Sequence, residues 1–555
     1  MIENHDRPAA FSRTDGRHHA RRPGADDDDV AFALQTRFPD QDSVFFSIKG
    51  RKSTFGTPRQ LAKSGYDGAT INANRCVMSP KKTTLKPARN VPASTKAPPD
   101  PGSLRGVANW KEAARWLRDR GIEDIECITP DLAGVARGKM MPSSKFTSNT
   151  SLALPSAIYR HTISGEYPDE TESFRYEPRD SDLKLMPDLS TLSVVPWETD
   201  PTAQVICDIV DSDGGEVPYT PRNVLKRIMS LYHDRGWKPI VAPEIEFYLV
   251  AKNDDPDYPL HPPKGRSGRS ILGGQGYSIA GINEFDELID DVYHFSEKQG
   301  LEIDTLIHEE GPAQLEINLR HGNPIELADQ VFLFKRTIRE AALKHDIYAT
   351  FMAKPMQGQP GSAMHIHQSV VNIETGQNIF SNADGSASKE FFHFIGGMQK
   401  FVPSAMAMLA PYVNSYRRLQ PDMSCPVNNA WGYDNRTTAF RVPVSDPQAR
   451  RVENRLPSSD ANPYLALAAS LAAGLLGIMK EIEPTAPTED SANEGSIDLP
   501  RGLLEAVALL EDEPAFEEIF GKQFIGLYAG VKRGEFETFM QVISPWEREF
   551  LLLNV

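Results

Sequence analysis

Glu244 and Glu246 stand in APEIEFYLV, Glu309 and Glu316 in HEEGPAQLEINL, His365 and His367 in GSAMHIHQS, and Glu453 in ARRVENRLP. Brought to one cleft, five carboxylates and a histidine make a site for two hard divalent cations. Arginines follow late in the chain at 418, 436, 441, 451 and 455. Divalent cations and clustered guanidiniums are what phosphoryl transfer from a nucleotide requires.

Each segment reads as a short strand, in which alternate residues share a face. Glu244 and Glu246 therefore point one way, with Ile245 and Phe247 opposite. An isolated Glu-x-Glu is more often a solvated edge. In the third segment Gln314, Glu316 and Asn318 share a face, and Gly311-Pro312 breaks the chain so that Glu309 can approach Glu316 across a turn. His365 and His367 share a face behind the stretch Gly358-Gln359-Pro360-Gly361-Ser362. Imidazole binds a metal or, protonated, a phosphate. Arg451, Glu453 and Arg455 fall on one face, where a plain salt-bridged strand would look the same.

The elements that carry these residues belong to a chain of ordinary globular composition, 40% hydrophobic and 25% charged. Its 555 residues are enough for several domains. A net charge of -16 argues against nucleic acid as a partner, because a phosphate backbone demands a basic face. Cys76, Cys127, Cys207 and Cys425 are too scattered for a disulfide framework or a zinc motif, which points to a reducing, cytoplasmic setting. The N-terminus lacks the apolar core of a signal peptide. The apolar run YLALAASLAAGLLGIM, 464–479, is too short for a membrane span and reads as a buried helix.

Residues 1–104 differ from the rest. Over 41–104 there are eleven Lys/Arg against three Asp/Glu, interleaved with proline and serine and without apolar periodicity. They read as a disordered extension, or as sequence upstream of a later start such as Met78. Order is expected from Val107, with an amphipathic helix in NWKEAARWLRDRGI stopped by Gly121. A strand–turn–strand in IEDIECITPDLAGVARGKMMP and further strands in 180–197 and 203–211 follow. Thr220-Pro221 opens a helix, with threonine as the expected cap. A domain boundary is placed at 212–220, with helices and strands alternating from there to the C-terminus and an exposed loop over 253–276.

The segments taken in order, DLAGVARGK, DSDLKLMPD, PEIEF, GPAQLEINL, KPMQGQPGSAMHIHQS, NRTTAFRVP and ARRVENRLPSSDANPYLALAA, resemble the glutamine synthetase family over about residues 107–555. The resemblance implies an α+β fold: a small N-terminal β-grasp domain over 105–215, then a larger catalytic α/β domain over 216–555. It implies an active site shared between neighbouring subunits of a homo-oligomer, usually a ring and in bacteria often a dodecamer. By motif, Glu246, Glu309 and Glu316 match the ligands of a first Mg2+ or Mn2+, and Glu244, His365 and Glu453 those of a second. Gly361, Arg418, Arg436 and Arg455 match positions that hold glutamate or its phosphorylated form. His367, Ser369, Arg441 and Arg451 match positions near the phosphates of ATP. The implied chemistry is ATP-dependent: glutamate becomes γ-glutamyl phosphate, and an amine then displaces the phosphate.

Two departures bear on which amine. Ammonia-using members carry a glutamate six residues after the arginine matching Arg418, where this chain has Ser424, and the ammonium-site aspartate is not apparent. Losing two carboxylates weakens a site for a small cation and suits an amine with a carbon chain. ISGEYP and NNAWGYDNRT also resemble the branch that joins glutamate to putrescine and other polyamines. A ligase for a polyamine or monoamine is therefore expected, an aromatic or amino-alcohol amine included; a true glutamine synthetase and a non-catalytic structural relative are the alternatives. An aliphatic amine is mostly protonated at pH 7, with lysine at about 10.4 as the guide, so a base must take its proton. Glu166, Asp169, Glu170 and Glu172 are candidates by location alone.

Overall fold

The computed structural model describes residues 104–148, 152–168, 180–421, 425–494 and 498–555. The 1–104 extension apart from Leu104, and Asp169, Glu170, Glu172 and Ser424, lie outside the described residues.

The chain opens with the expected helix, Trp110–Asp119. Asn109 caps it by accepting from the Glu112 amide, and Ala113, Trp116 and Leu117 form its buried stripe. Gly121 follows with φ +64, a left-handed conformation that glycine adopts without a Cβ clash. Six strands then build a first sheet: β1 Asp124–Pro130, β2 Ala136–Pro142, β3 Leu152–Pro155, β4 Asp182–Pro187, β5 Ser193–Val194 and β6 Thr202–Val210. The order is β2-β1-β6-β4-β3, with β5 also on β6. Only β1 and β6 run parallel among these pairs.

The second sheet carries the residues of interest. Its strands are β7 Trp237–Ala251, β8 Ile303–His308, β9 Gln314–Leu319, β10 Ile347–Thr350, β11 Met364–Asn372, β12 Trp431–Tyr433, β13 Phe440–Val442 and β14 Val452–Asn454. They are ordered β12-β13-β14-β11-β7-β9-β8, with β10 on β7. Every pairing is antiparallel except β12 with β13. The architecture is mixed helix and sheet, and it turns on one long central strand, β7.

Period two decides which side of this sheet does what. Gln368 on β11 and Asn454 on β14 reach the hydroxyl of Ser470, each at 2.9 Å, on the helix Pro463–Met479. That side is the core. His365, His367 and Ser369 take the alternate positions of β11 and face the other way. The helix Pro463–Met479 is the buried element its composition predicts, almost wholly enclosed, with Asn462 capping it. It crosses the helix Lys389–Leu409 glycine upon glycine. A Cβ on Gly477 would stand 2.1 Å from the His393 carbonyl oxygen and 2.5 Å from the Gly397 Cα. Gly477→Ala is expected to cost about 2 kcal/mol or more by overpacking, read from the urea unfolding midpoint.

Two details differ from the sequence expectation. Thr220 precedes the helix Pro221–His233, but its hydroxyl donates to the Val217 carbonyl instead of capping, so Pro221 alone starts the helix. The alternation of helix and strand also ends at Asn454, and the described residues beyond it contain helices and no strand.

The two sheets are tied together by charge. Arg222, at the start of the helix Pro221–His233, is buried and bonds Asp208 on β6, Asp188 just after β4 at 2.6 Å, and Asp329 at 2.9 Å. Tyr464 donates to the same Asp329 at 2.7 Å. Asn462 adds a second tie, donating to the Asp131 carbonyl at 2.9 Å.

Candidate active site

Register assembles the site. Across neighbouring strands, directly opposite residues share a face. Arg441 on β13 lies opposite Glu453 on β14, and Glu453 opposite His367 on β11. His365 lies opposite Glu244 on β7, and Glu246 opposite Glu316 on β9. Residues spread from 244 to 453 thus form one continuous patch.

His365 sits at its centre. Its Nδ1 is 3.5 Å from Glu244, 4.0 Å from Glu246 and 4.0 Å from Glu453. Two ligand groups result, each with donor atoms within 4.8 Å of one another: Glu244, His365 and Glu453, and Glu246, Glu316 and His365. Glu309 follows β8, held where its amide donates to the Gln314 carbonyl at 2.8 Å. It belongs to neither group but acts on both Glu246 and Glu316 through its charge.

The electrostatics are those of a cluster short of positive charge. Burial, then Glu309, pushes the Glu246 carboxyl up to about 8. Burial, then Glu244 and Glu246, pushes Glu316 up to about 9. Burial also raises Glu309. On Glu244 burial acts upward too, but hydrogen bonds with His365 and His367 outweigh it and bring it well below the usual range. His365 is driven down to about 4 by burial and by Arg455, so at neutral pH it is the neutral imidazole that ligates metals. Buried carboxylates that cannot all ionise together, plus a neutral imidazole, fit hard divalent cations, which would relieve the repulsion.

The arginines divide by role. Arg455 donates to Glu453 at 2.5 Å, and its buried Nε has no hydrogen-bond partner among the described residues. Arg441 donates to the other Glu453 oxygen at 2.8 Å and to Asp434 at 2.6 Å. Arg451 does not pair with Glu453. Its Nε donates to His367 Nδ1 at 3.3 Å, which places the imidazole proton on Nε2, 3.0 Å from Glu244. Arg418 is buried and grips the carbonyls of Leu456 and Arg455, each at 2.9 Å. Gly361 lies against it, where a Cβ would come within 2.6 Å of the Arg418 side chain. Ser369 extends the β11 face at partial exposure, and Arg436 is exposed on the turn after β12, near Asp434.

Gln314 and Asn318 also serve the site. Gln314 donates to Glu246 and to the Gly361 carbonyl, both at 3.1 Å, and Asn318 to Glu244 at 3.2 Å. Their alternation with Glu316 in QLEIN was the available signal. Asp434 carried no signal, because its partner Arg441 is brought to it by strand pairing. Glu166 is occupied by Thr538, at 2.8 Å, on the helix Lys522–Met540.

Comparison with known proteins places the chain among characterised relatives. A family model described as glutamine synthetase, catalytic domain, matches residues 218–551. The gamma-glutamylputrescine synthetase PuuA of Escherichia coli (strain K12) is 35% identical over 457 residues, covering 81% of this chain and 96% of that protein. A glutamate–isopropylamine ligase of a Pseudomonas species is 31% identical, covering 78% and 95%. A solved structure titled "Apo GmaS without ligand" superposes with a TM-score of 0.67 at 26% identity, over 79% of this chain and 99% of that one.

Proposed function

The chain belongs to the glutamine synthetase family, and from that premise we propose that it joins the γ-carboxylate of glutamate to an organic amine, putrescine, another polyamine or a monoamine, with ATP. Its mixed helix-and-sheet structure is of the glutamine synthetase type. The observation that carries the reading is the single sheet face on which acids, a neutral imidazole and arginines converge. Relatives named for putrescine and isopropylamine, 35% and 31% identical over 96% and 95% of their length, support an organic amine.

Glutamate's γ-carboxylate attacks the terminal phosphorus of ATP; γ-glutamyl phosphate forms and ADP leaves. The amine nitrogen then attacks the acyl carbon, phosphate departs, and the amine's proton passes to a base. Glu246, Glu309 and Glu316, with Glu244, His365 and Glu453, would hold two or more Mg2+ or Mn2+ ions. Such ions supply charge neutralisation on the transferring phosphoryl group. His367, its tautomer set by Arg451, orients Glu244. Arg455 offers its unused Nε to an anionic substrate group, with Gly361 and Arg436 beside the glutamate site. Arg418 shapes that site by holding the 455–456 backbone, and Ser369, Arg441 and Arg451 face the nucleotide. Cys425, next to Ser424, is buried within the fields of Arg418 and Arg455, which supports assigning this segment to the substrate site.

We read residues 105–215 as the β-grasp domain and 216–555 as the catalytic domain. Exposed Ile543, Trp546, Phe550, Leu552 and Leu553 support a homo-oligomer, with a dodecamer as the expected form. Free, buried Cys127, Cys207 and Cys425 support a cytoplasmic setting. No described helix is long and apolar enough to cross a membrane.

The test is phosphate release with ATP, magnesium and glutamate, comparing ammonium, putrescine, spermidine, ethanolamine and isopropylamine. Faster turnover with an organic amine is expected. Turnover with ammonium alone would make the protein a glutamine synthetase, and no turnover with any of them would leave it a structural relative.

A further inference from the structure

Asp434 lies one residue beyond β12, and its carboxylate is half exposed. It nevertheless holds Arg441 from the side: one oxygen accepts from Nη2 at 2.6 Å and from Nε at 3.2 Å. Glu453 accepts from Nη1 at 2.8 Å. These contacts use three of the five N–H donors of the guanidinium. The two left over, one on each terminal nitrogen, lie on the part of the group that neither acid occupies. A guanidinium fixed on two sides loses the rotamer freedom it would otherwise give up on meeting a ligand.

The backbone gives Asp434 this position at a cost. Its φ is +47, in the left-handed region that aspartate, asparagine and glycine tolerate and other residues resist. The conformation is locked by the Asp434 amide donating to the Val442 carbonyl at 2.9 Å, one residue past Arg441 on the neighbouring strand. The turn therefore returns the carboxylate onto the arginine across the β12–β13 pairing.

We propose that Asp434 is a positioning residue for nucleotide binding: together with Glu453 it holds Arg441 ready to donate to a phosphate oxygen of ATP. The inference rests on the reading of Arg441 as a phosphate contact given above. It adds a determinant of nucleotide affinity that lies outside the carboxylate–histidine cluster.

The test is calorimetric titration of ADP, and of a non-hydrolysable ATP analogue, in excess magnesium, independent of the identity of the amine, on the full chain and on Asp434→Gly, Asp434→Asn and Arg441→Ala. Glycine removes the carboxylate without straining the backbone, and asparagine keeps an acceptor oxygen but not the charge. Asp434→Gly is expected to weaken ADP about tenfold and Asp434→Asn about threefold, with the KM for glutamate unmoved. If Arg441→Ala weakens ADP but Asp434→Gly does not, the positioning role is wrong while the site stands. If Arg441→Ala leaves the binding of both ADP and a non-hydrolysable ATP analogue intact, the phosphate reading of Arg441 itself fails. If Asp434→Gly weakens ADP and raises the KM for glutamate alike, while lowering the melting temperature, its role is structural and the proposal is overturned.

Discussion

Glu316→Ala is expected to lower glutamate- and amine-dependent phosphate release by about a thousandfold or more, while leaving the metal-free protein as stable as before or slightly more stable. The two effects have opposite sign for one reason. Without a cation, Glu316 is a buried acid pressed against Glu244 and Glu246, which with burial lift it to about 9. Near neutrality it is therefore held protonated while its unfolded counterpart ionises freely, and removing it ends that cost. With cations bound, the same oxygen becomes a ligand, and its loss forfeits transition-state stabilisation of several kcal/mol. Steady-state phosphate release and the urea midpoint in excess chelator measure the two separately. Activity within tenfold of the unaltered protein would remove Glu316 from the site. A large loss of stability in chelator would mean that it is a structural acid.

Arg222→Met is the largest stability effect expected, about 3–5 kcal/mol at neutral pH, because it leaves Asp188, Asp208 and Asp329 facing one another around a vacated guanidinium position. The pH dependence follows in sign. Burial opposes ionisation of Asp188, but Arg222 outweighs it and brings the carboxyl down to about 2. A depressed acid contributes stability that is present above its unfolded value, about 3.9, and is lost as pH falls toward 2. The unaltered protein should therefore shed this contribution on acidification. The variant has none to shed, so the gap between the two should narrow below about pH 4. Urea titrations at pH 7 and at about pH 2.5, between the folded and unfolded values, measure it, and a gap under about 1 kcal/mol at pH 7 would show that the cluster holds nothing together.

What was legible in the chain was local. Alternation in APEIEF, QLEIN and HIHQS put Glu244 with Glu246, Gln314 with Glu316 and Asn318, and His365 with His367 on one strand face, and the apolar run at 464–479 announced a buried helix. What was hidden depended on which strands lie side by side. ARRVENRLP suggested a glutamate clamped by its neighbours Arg451 and Arg455. The structure keeps Arg455, sends Arg451 to His367, and brings Arg441 from β13 instead. Nothing in a single segment encodes that exchange, because it is set by the β13–β14–β11 register. Arg418 is a similar case: the motif suggests a substrate contact, and its terminal nitrogens hold backbone carbonyls. Glu309 was grouped by motif with Glu246 and Glu316, whereas the geometry groups those two with His365 and leaves Glu309 acting through its charge.

The tie through Arg222 also bears on how such proteins can be recombined. The family's catalytic model begins at residue 218, just ahead of Arg222, yet two of that guanidinium's three counter-charges come from the small sheet upstream. Asn462, deep in the matched span, likewise reaches back to the Asp131 carbonyl. A fragment trimmed to the matched span would keep Asp329 and strand the rest of the cluster. A chimera joined at the same point would meet a foreign sheet with a buried cation to neutralise. The segment that comparison recognises as a module is therefore shorter than the segment that must be inherited as one piece.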